Sequence, residues 1–153
     1  MREMRRKDRQ IRAEESKDIL RDGSYGVLST MGEDGYPYGV PMNYVFANQA
    51  IYLHCATTGH KLDNIAHNQK VSFTVVGKTE ILPEKFSTKY ESVIVFGRAR
   101  KISGDEKTAG LSLFVDKYSS DFQDEGKAYI KKNAASTCLI EIQIEHITGK
   151  AKR

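Results

Sequence analysis

The sequence contains no tryptophan, three prolines and only two cysteines among its 153 residues. Cys55 and Cys138 lie far apart and match no metal-ligand spacing, so we predict two buried free thiols. No apolar run approaches the roughly 20 residues that a membrane-spanning helix needs. The charged N-terminus is followed by no apolar segment, which argues against a signal peptide. We therefore expect a cytoplasmic protein without a membrane partner.

Several catalytic and nucleotide-binding signatures are also missing. The chain contains no GxxxxGK[ST] loop, no GxSxG elbow and no HExxH pair. It shows no internal repeat, no low-complexity segment and no succession of βαβ units. These absences exclude a P-loop nucleotide site and argue against a dinucleotide fold built on a parallel sheet.

Length and charge point to one ordinary folded domain over residues 1–153. Hydrophobic residues make up 39% of the chain and charged residues 29%, which is normal for such a domain. The net charge is +4, and residues 1–12 contribute all of it, with six basic and two acidic side chains. Nucleic-acid domains usually carry a basic stripe on their folded face. We therefore interpret residues 1–12 as a basic arm that is solvated or contacts a partner, and nucleic-acid binding is not expected.

Hydrophobic periodicity predicts a mainly β fold with added helices. Alternating or β-rich segments predict six strands, at residues 25–30, 36–47, 51–55, 71–76, 90–102 and 138–147. Helical spacing predicts helices at residues 8–21, 61–65 and 104–118, and the polar stretch 119–132 is expected to add a further turn or two. Prolines at positions 37 and 41 place the second strand at an edge or at irregular pairing positions, and Gly97 allows a kink or bulge in the fifth. Short antiparallel strands in this number favour a small closed barrel.

The stretch from residue 51 to residue 65, IYLHCATTGHKLDNI, is the most informative part of the chain. A strand with Ile51 and Leu53 on one side ends in a small polar loop, and a helix with Leu62 follows. Loop hydroxyls, backbone N–H groups and Lys61 would then meet at a helix start, which favours a phosphate. The alternative is that the two threonines of the loop only cap a surface helix.

His54 closes this strand beside the phosphate loop and is therefore a candidate proton relay or substrate contact. The alternative is a histidine hydrogen-bonded to the backbone at the barrel rim. A zinc site built from His54, His60 and His67 is disfavoured, because no cysteine or carboxylate completes a familiar ligand set. Tyr44 and Tyr52 are interpreted as barrel packing residues rather than catalytic acids.

Several segments of the chain follow one another in a characteristic order. They are residues 36–45 (YPYGVPMNYV), 51–65, 68–73 (NQKVSF) and 90–97 (YESVIVFG), with residues 4–9 (MRRKDR) and 144–150 (IEHITGK) at the ends. Together they resemble the pyridoxamine 5'-phosphate oxidase-like FMN-binding split barrels, and most closely the 5-nitroimidazole resistance (Nim) branch. The resemblance covers nearly the whole chain. It implies a six-stranded antiparallel Greek-key split barrel, and a homodimer that binds one FMN in each of two clefts between the protomers.

The resemblance also implies the residues that would hold the flavin. Backbone groups of Met42, Asn43, Tyr44 and Val45 would meet the isoalloxazine edge, and His54 and Cys55 would border the ring. His60 and Lys61 would hold the phosphate. Ser92 stands where the oxidases place a flavin-contacting glutamine, so this contact would be altered.

The function expected from the resemblance is an FMN-dependent oxidoreductase that passes electrons or hydride to a small organic acceptor, with nitroaromatic reduction as one form. The flavin would supply the redox chemistry and the protein its binding and orientation. Oxidation of pyridoxamine 5'-phosphate itself is less expected, because the substrate-phosphate arginines of those enzymes have no clear counterpart near this C-terminus. The alternative is a non-catalytic protein that binds FMN or haem.

Overall fold

Eight β-strands and four α-helices make up the chain, and the computed structural model describes every residue from Met1 to Arg153. The helices are α1 (Ala13–Asp22), α2 (His60–His67), α3 (Gly104–Tyr118) and α4 (Gln123–Asn133). The strands are β1 (Gln10–Ile11), β2 (Gly26–Met31), β3 (Pro37–Met42), β4 (Val45–Ala47), β5 (Ala50–Ala56), β6 (Lys70–Leu82), β7 (Ser87–Ile102) and β8 (Thr137–Lys152). None of the helices is both long and apolar enough to cross a membrane.

All strands belong to one antiparallel sheet in the order β3-β2-β6-β7-β8-β5-β4, and β1 adds to β8. The two edge strands, β3 and β4, are separated in the sequence by only Asn43 and Tyr44. A sheet whose opposite edges are joined by two residues must curl until those edges meet. The strands therefore form a barrel that is split between β3 and β4, and the predicted split-barrel fold class is confirmed. The predicted number of six strands is wrong, because the second predicted strand divides into β3 and β4 and because β1 adds to β8.

The crossover at Asn43 and Tyr44 corrects the prediction of one continuous strand over residues 36–47. β3 pairs only with β2, whereas β4 pairs only with β5, so the chain changes sheet edges between them. The periodicity of two continues through the break because side chains still alternate between the barrel interior and its outer surface. Pro37 and Pro41 lie in β3, an edge strand, as predicted.

The bounds of several other elements also differ from the prediction. α1 begins at Ala13 rather than at residue 8, because Gln10 and Ile11 pair with the end of β8. β6 and β7 continue as a long hairpin to a 3-10 turn at Pro83–Lys85, and β8 runs on to Lys152. These extensions are held by backbone pairing while many of their side chains are polar or exposed. Hydrophobic alternation therefore does not reveal them.

The barrel interior and a second cluster beneath α3 form the hydrophobic core. Leu28, Phe73 and Ile140 are fully buried inside the barrel. Leu111 and Phe114 of α3 pack in the second cluster, on the outer side of β5. β5 is consequently covered on both faces. As predicted, Ile51 and Leu53 face one side of the strand, the barrel interior, while Tyr52 faces the other.

Gly97 lies at the irregularity predicted in β7, but the bulged residue is Glu145 of β8, because Phe96 pairs with His146 and Gly97 pairs with Ile144. The register against β8 shifts between Phe96 and Gly97. A Cβ atom at position 97 would collide with the backbone carbonyl oxygen of Gln143, so the close approach of the two strands requires glycine.

Candidate functional site

A hollow of about 270 Å³ opens on the outer side of the barrel, beside the crossover between β3 and β4. β5 supplies His54, the crossover supplies Asn43, and α3 supplies Phe114 and Tyr118. The hollow thus unites two residues predicted from sequence, Asn43 and His54, with an aromatic wall. Flat ligands suit such a wall because aromatic rings favour offset stacking and edge contacts.

The geometry of α3 builds this wall. Phe114 and Tyr118 are four residues apart and therefore share a helix face, and their rings stack with centroids 6.2 Å apart. The imidazole of His54 meets Phe114 edge to face at 4.6 Å. Partial burial lowers the pKa of His54 below its usual value of 6.5, so the imidazole is neutral near pH 7 and can either donate or accept a proton.

Lys117 and Tyr118 clamp the crossover. The backbone N–H of Tyr44 donates to the Tyr118 hydroxyl at 3.0 Å, and Lys117 Nζ donates to the Tyr44 carbonyl at 3.1 Å. The Tyr118 hydroxyl lies 2.7 Å from the carbonyl oxygens of both Ser24 and Tyr44 and can donate to either. The ammonium of Lys117 also lies 4.2 Å from the ring centroid of Tyr44, and burial lowers its pKa.

The clamp limits what the crossover can offer a ligand. Tyr44 is fully buried, and both of its backbone polar groups are hydrogen-bonded to α3 side chains. Val45 is buried beneath α3, and Met42 packs against the barrel core. Of the four consecutive residues predicted to contact a flavin, 42–45, Asn43 is the exposed one. Its side-chain amide donates to the carbonyl of Ser24.

The second part of the site is the loop between β5 and α2. Gly59 is the N-cap of α2, and no side chain caps the helix. The alternative in which Thr57 or Thr58 caps it is therefore wrong, and both hydroxyls are exposed. Gly59 has φ +151°, and a Cβ there would meet no atom within 4 Å. The uncapped helix start is thus open to an approaching group.

Two basic side chains begin α2 beside this opening. The ring of His60 packs against Tyr38 of β3 in a tilted arrangement, with ring centroids 4.0 Å apart. Lys61 is half-buried, and its charge lowers the pKa of the Cys55 thiol, against the larger rise that burial causes. An ammonium, an imidazole, two hydroxyls and free helix N–H groups form a donor set that fits a phosphate dianion. His60 and Lys61 are the residues that could hold the phosphate of a cofactor.

Cys55 lies between these two parts of the site but faces away from the hollow. Neighbouring residues of a strand point to opposite faces, so Cys55 packs on the barrel core while His54 faces α3. The structure therefore does not bring Cys55 and His54 to one surface, and the predicted contact of Cys55 with a ring stays a prediction.

No three metal-binding side chains of this structure lie close enough together to hold a metal ion. The three histidines that were considered as a zinc site also contact different parts of the structure. They are His54, His60 and His67. His54 packs on Phe114, His60 packs against Tyr38 and His67 ends α2.

A family model described as pyridoxamine 5'-phosphate oxidase matches residues 12–151. The chain belongs to this family. A comparison with curated protein sequences finds no match. The family match confirms the resemblance that the sequence segments indicated, and it spans the chain from α1 to all but the last residue of β8.

Solved structures share the fold of this chain. A FAD and haem binding protein from Mycobacterium smegmatis superposes with a TM-score of 0.83 at 19% identity, covering 95% of this chain and 74% of that one. A proposed 5-nitroimidazole antibiotic resistance protein from Bacteroides thetaiotaomicron gives 0.76 at 21% identity, covering 93% and 86%. A FAD-binding protein from Mesorhizobium loti gives 0.67 at 23%, covering 95% and 98%. These likenesses establish the split-barrel fold.

Ser92, the remaining residue predicted for a flavin site, lies elsewhere in this family member. It lines a cavity of about 250 Å³ on the outer face of β7 and β8, together with Ile94, Phe96 and His146. Neither the hollow at His54 nor the opening at Lys61 includes it. A single chain therefore leaves Ser92 apart from the other predicted residues.

Sequence reasoning missed Phe114, Lys117 and Tyr118 as parts of the site. The spacing of Leu111, Phe114 and Val115 predicted the helix correctly. The signal available was the aromatic pair four residues apart on one helix face, but nothing in the sequence shows which strand that face covers.

Proposed function

We propose that this chain binds FMN, with the phosphate at the start of α2 and the isoalloxazine ring in the hollow beside the crossover. The observation that carries the proposal is the arrangement of the two parts. An uncapped, open helix start with Lys61 follows, by only a few residues, the strand end whose His54 lines an aromatic hollow. One elongated ligand with an anionic end and a flat end could bridge both.

We further propose that the bound flavin acts as an oxidoreductase cofactor for a small organic acceptor such as a nitroaromatic compound. The flavin would supply the hydride or electron transfer, as it does in other flavoproteins. His54, neutral near pH 7, could donate or accept a proton at the ring edge or at a substrate. The similar fold of the proposed 5-nitroimidazole resistance protein supports this class of acceptor.

In this arrangement one chain contacts only one face of the isoalloxazine ring. We propose that a second copy of the chain contacts the other face in a homodimer. The outer face of β7 leaves Ile94 and Phe96 40% and 38% exposed, next to Ser92. An apolar strip of this kind suits an interface between copies. Ser92 of the partner subunit would then approach the flavin, in agreement with its place in the sequence pattern.

A second candidate is a protein of the same fold that binds FMN or haem without turnover. His146 lies beside Phe96, with ring centroids 6.5 Å apart, in the cavity that Ser92 also lines. An imidazole in a partly apolar cavity can ligate haem iron. The similarity to a FAD and haem binding protein supports this candidate.

An affinity measurement tests the phosphate site. Lys61→Met removes a charge-assisted contact of about 1.5–3 kcal/mol, which corresponds to a dissociation constant about 10- to 150-fold higher. Titration of FMN fluorescence against each protein measures this constant. Lys127→Met is the matched control because Lys127 is exposed on α4, away from the loop. Equal affinity of the Lys61 variant and wild type would place the phosphate elsewhere.

Anaerobic reoxidation separates the two candidates. Protein-bound FMN is reduced chemically, a 5-nitroimidazole is added, and the return of the oxidised flavin absorbance is followed. An oxidoreductase reoxidises faster than free reduced FMN, and His54→Ala should slow this step while FMN affinity is retained. A bound flavin that the acceptor does not reoxidise, or a Soret band in the purified protein, would favour the non-catalytic candidate.

A further inference from the structure

Cys55 and Cys138, the only cysteines of the chain, stand directly opposite each other on the antiparallel strands β5 and β8. Residues paired in this way project to the same face of the sheet. Cys138 belongs to the barrel core cluster, and Cys55 packs against that cluster. Because no other thiol exists in the chain, neither cysteine has a competing partner within it.

The spacing of such a pair is compatible with a disulfide bond. Opposed residues in an antiparallel ladder have Cα atoms about 4.5 or 5.5 Å apart, and disulfides bridge Cα atoms separated by about 4.4–6.8 Å. The Cβ atoms must approach slightly, since the usual cross-strand Cβ spacing exceeds that of a disulfide. The pair is next to last in the ladder, before Ala56 and Thr137, where the strands can move more easily than in the middle of the sheet.

The two thiols differ in accessibility. Cys55 is half-buried at the barrel rim, whereas Cys138 is only 8% exposed. An external reagent can therefore reach Cys55 but not Cys138. Burial raises the pKa of the Cys55 thiol, so only a small fraction is thiolate at neutral pH and the reaction is slow there.

We propose that Cys55 and Cys138 form a reversible redox pair that closes to a disulfide when a low-molecular-weight disulfide such as oxidised glutathione is present. Cys55, as thiolate, attacks one sulfur of oxidised glutathione, and a mixed disulfide forms while one glutathione leaves as a thiol. Cys138 then attacks the Cys55 sulfur and releases the second glutathione. The two cysteines lose two electrons and two protons, and oxidised glutathione gains both.

The position of the pair relates it to the candidate site without depending on that site's function. Cys55 separates His54 from the loop that leads to Lys61. A closed bridge would fix the end of β5, which carries both parts of the site, to β8. It would also close a long loop, so we expect thermal unfolding of the oxidised protein at a higher temperature than that of the reduced protein.

Mass spectrometry of the folded protein tests the proposal. The protein is incubated with oxidised glutathione in mildly alkaline buffer and then treated with an alkylating reagent under denaturing conditions. Its molecular mass is then measured. We expect wild type to carry no alkyl group and no glutathione, to have lost two hydrogens, and to recover two alkylatable thiols after reduction. A peptide that links residues 55 and 138 should appear after proteolysis.

Two single variants test the order of attack. Cys138→Ala should stop at a mixed disulfide, with one glutathione on Cys55. Cys55→Ala should acquire no glutathione while it remains folded. The proposal would be overturned if wild type retained two free thiols, retained a stable glutathione adduct, or formed disulfide-linked dimers. The wild-type measurement decides whether the disulfide forms, even if a variant fails to fold.

Discussion

Removal of one hydroxyl group tests the clamp that holds the crossover. In Tyr118→Phe the carbonyl of Tyr44 keeps its bond from Lys117, and the carbonyl of Ser24 keeps its bond from Asn43. The backbone N–H of Tyr44 has only the Tyr118 hydroxyl as a partner, and Tyr44 is fully buried. The substitution therefore leaves one buried donor unsatisfied while every acceptor stays paired.

An unsatisfied buried donor costs about 1–3 kcal/mol. For a chain of this length, each kcal/mol lowers the midpoint of thermal unfolding by about 2–4 °C. We therefore expect Tyr118→Phe to lower the free energy of unfolding by about 1–3 kcal/mol and the midpoint by about 2–12 °C. Urea denaturation and calorimetry measure the two quantities.

Tyr129→Phe is the matched control for this experiment. Tyr129 lies on α4 and is 70% exposed, so loss of its hydroxyl should change the free energy of unfolding by less than about 0.5 kcal/mol. If Tyr118→Phe were as stable as this control, the N–H of Tyr44 would have another partner such as water. The clamp would then not hold the crossover.

Two further perturbations have defined outcomes. Because burial lowers the pKa of His54, the unfolded chain binds more protons than the folded chain once the pH falls to about 6.5, the usual pKa of histidine, and wild type then loses stability. Over the same pH range, His54→Gln should lose less free energy of unfolding in urea denaturation. Parallel plots of this free energy against pH for the two proteins would contradict the prediction. Gly97→Ala should lower the free energy of unfolding by about 3 kcal/mol, the upper end of the usual cost of overpacking, because its Cβ meets a backbone carbonyl. Gly35→Ala, with φ +82° and no atom nearby, should cost only about 1–2 kcal/mol, and equal losses would refute the role of close packing at Gly97.

The sequence predicted the elements whose side chains alternate between two environments. α3 has the predicted bounds, and the strand at Ile51 and the irregular pairing at Gly97 lie where the pattern placed them. The split at Asn43 could not be predicted in this way, because side-chain alternation continues while the backbone exchanges partners. The extended end of β8 was missed for a related reason, since its backbone pairs although its side chains are polar.

In the candidate site, too, local sequence patterns predicted some residues and missed the contacts that depend on how the chain folds. Residues close in sequence, such as His54 and Lys61, were found because a strand, a loop and a helix start follow one another. Lys117 and Tyr118 act on Tyr44 from a helix more than 70 residues away in the sequence. The facing of Cys55 toward Cys138 depends on strand register, which local patterns did not supply.

The visible absorption spectrum of the purified protein, before and after titration with FMN, tests the central claim of flavin binding most directly. Light scattering on the same sample gives the mass in solution. The account predicts a protein-bound flavin spectrum, one FMN for each chain and the mass of a dimer. A protein that stays colourless and does not perturb the absorbance of added FMN would contradict it.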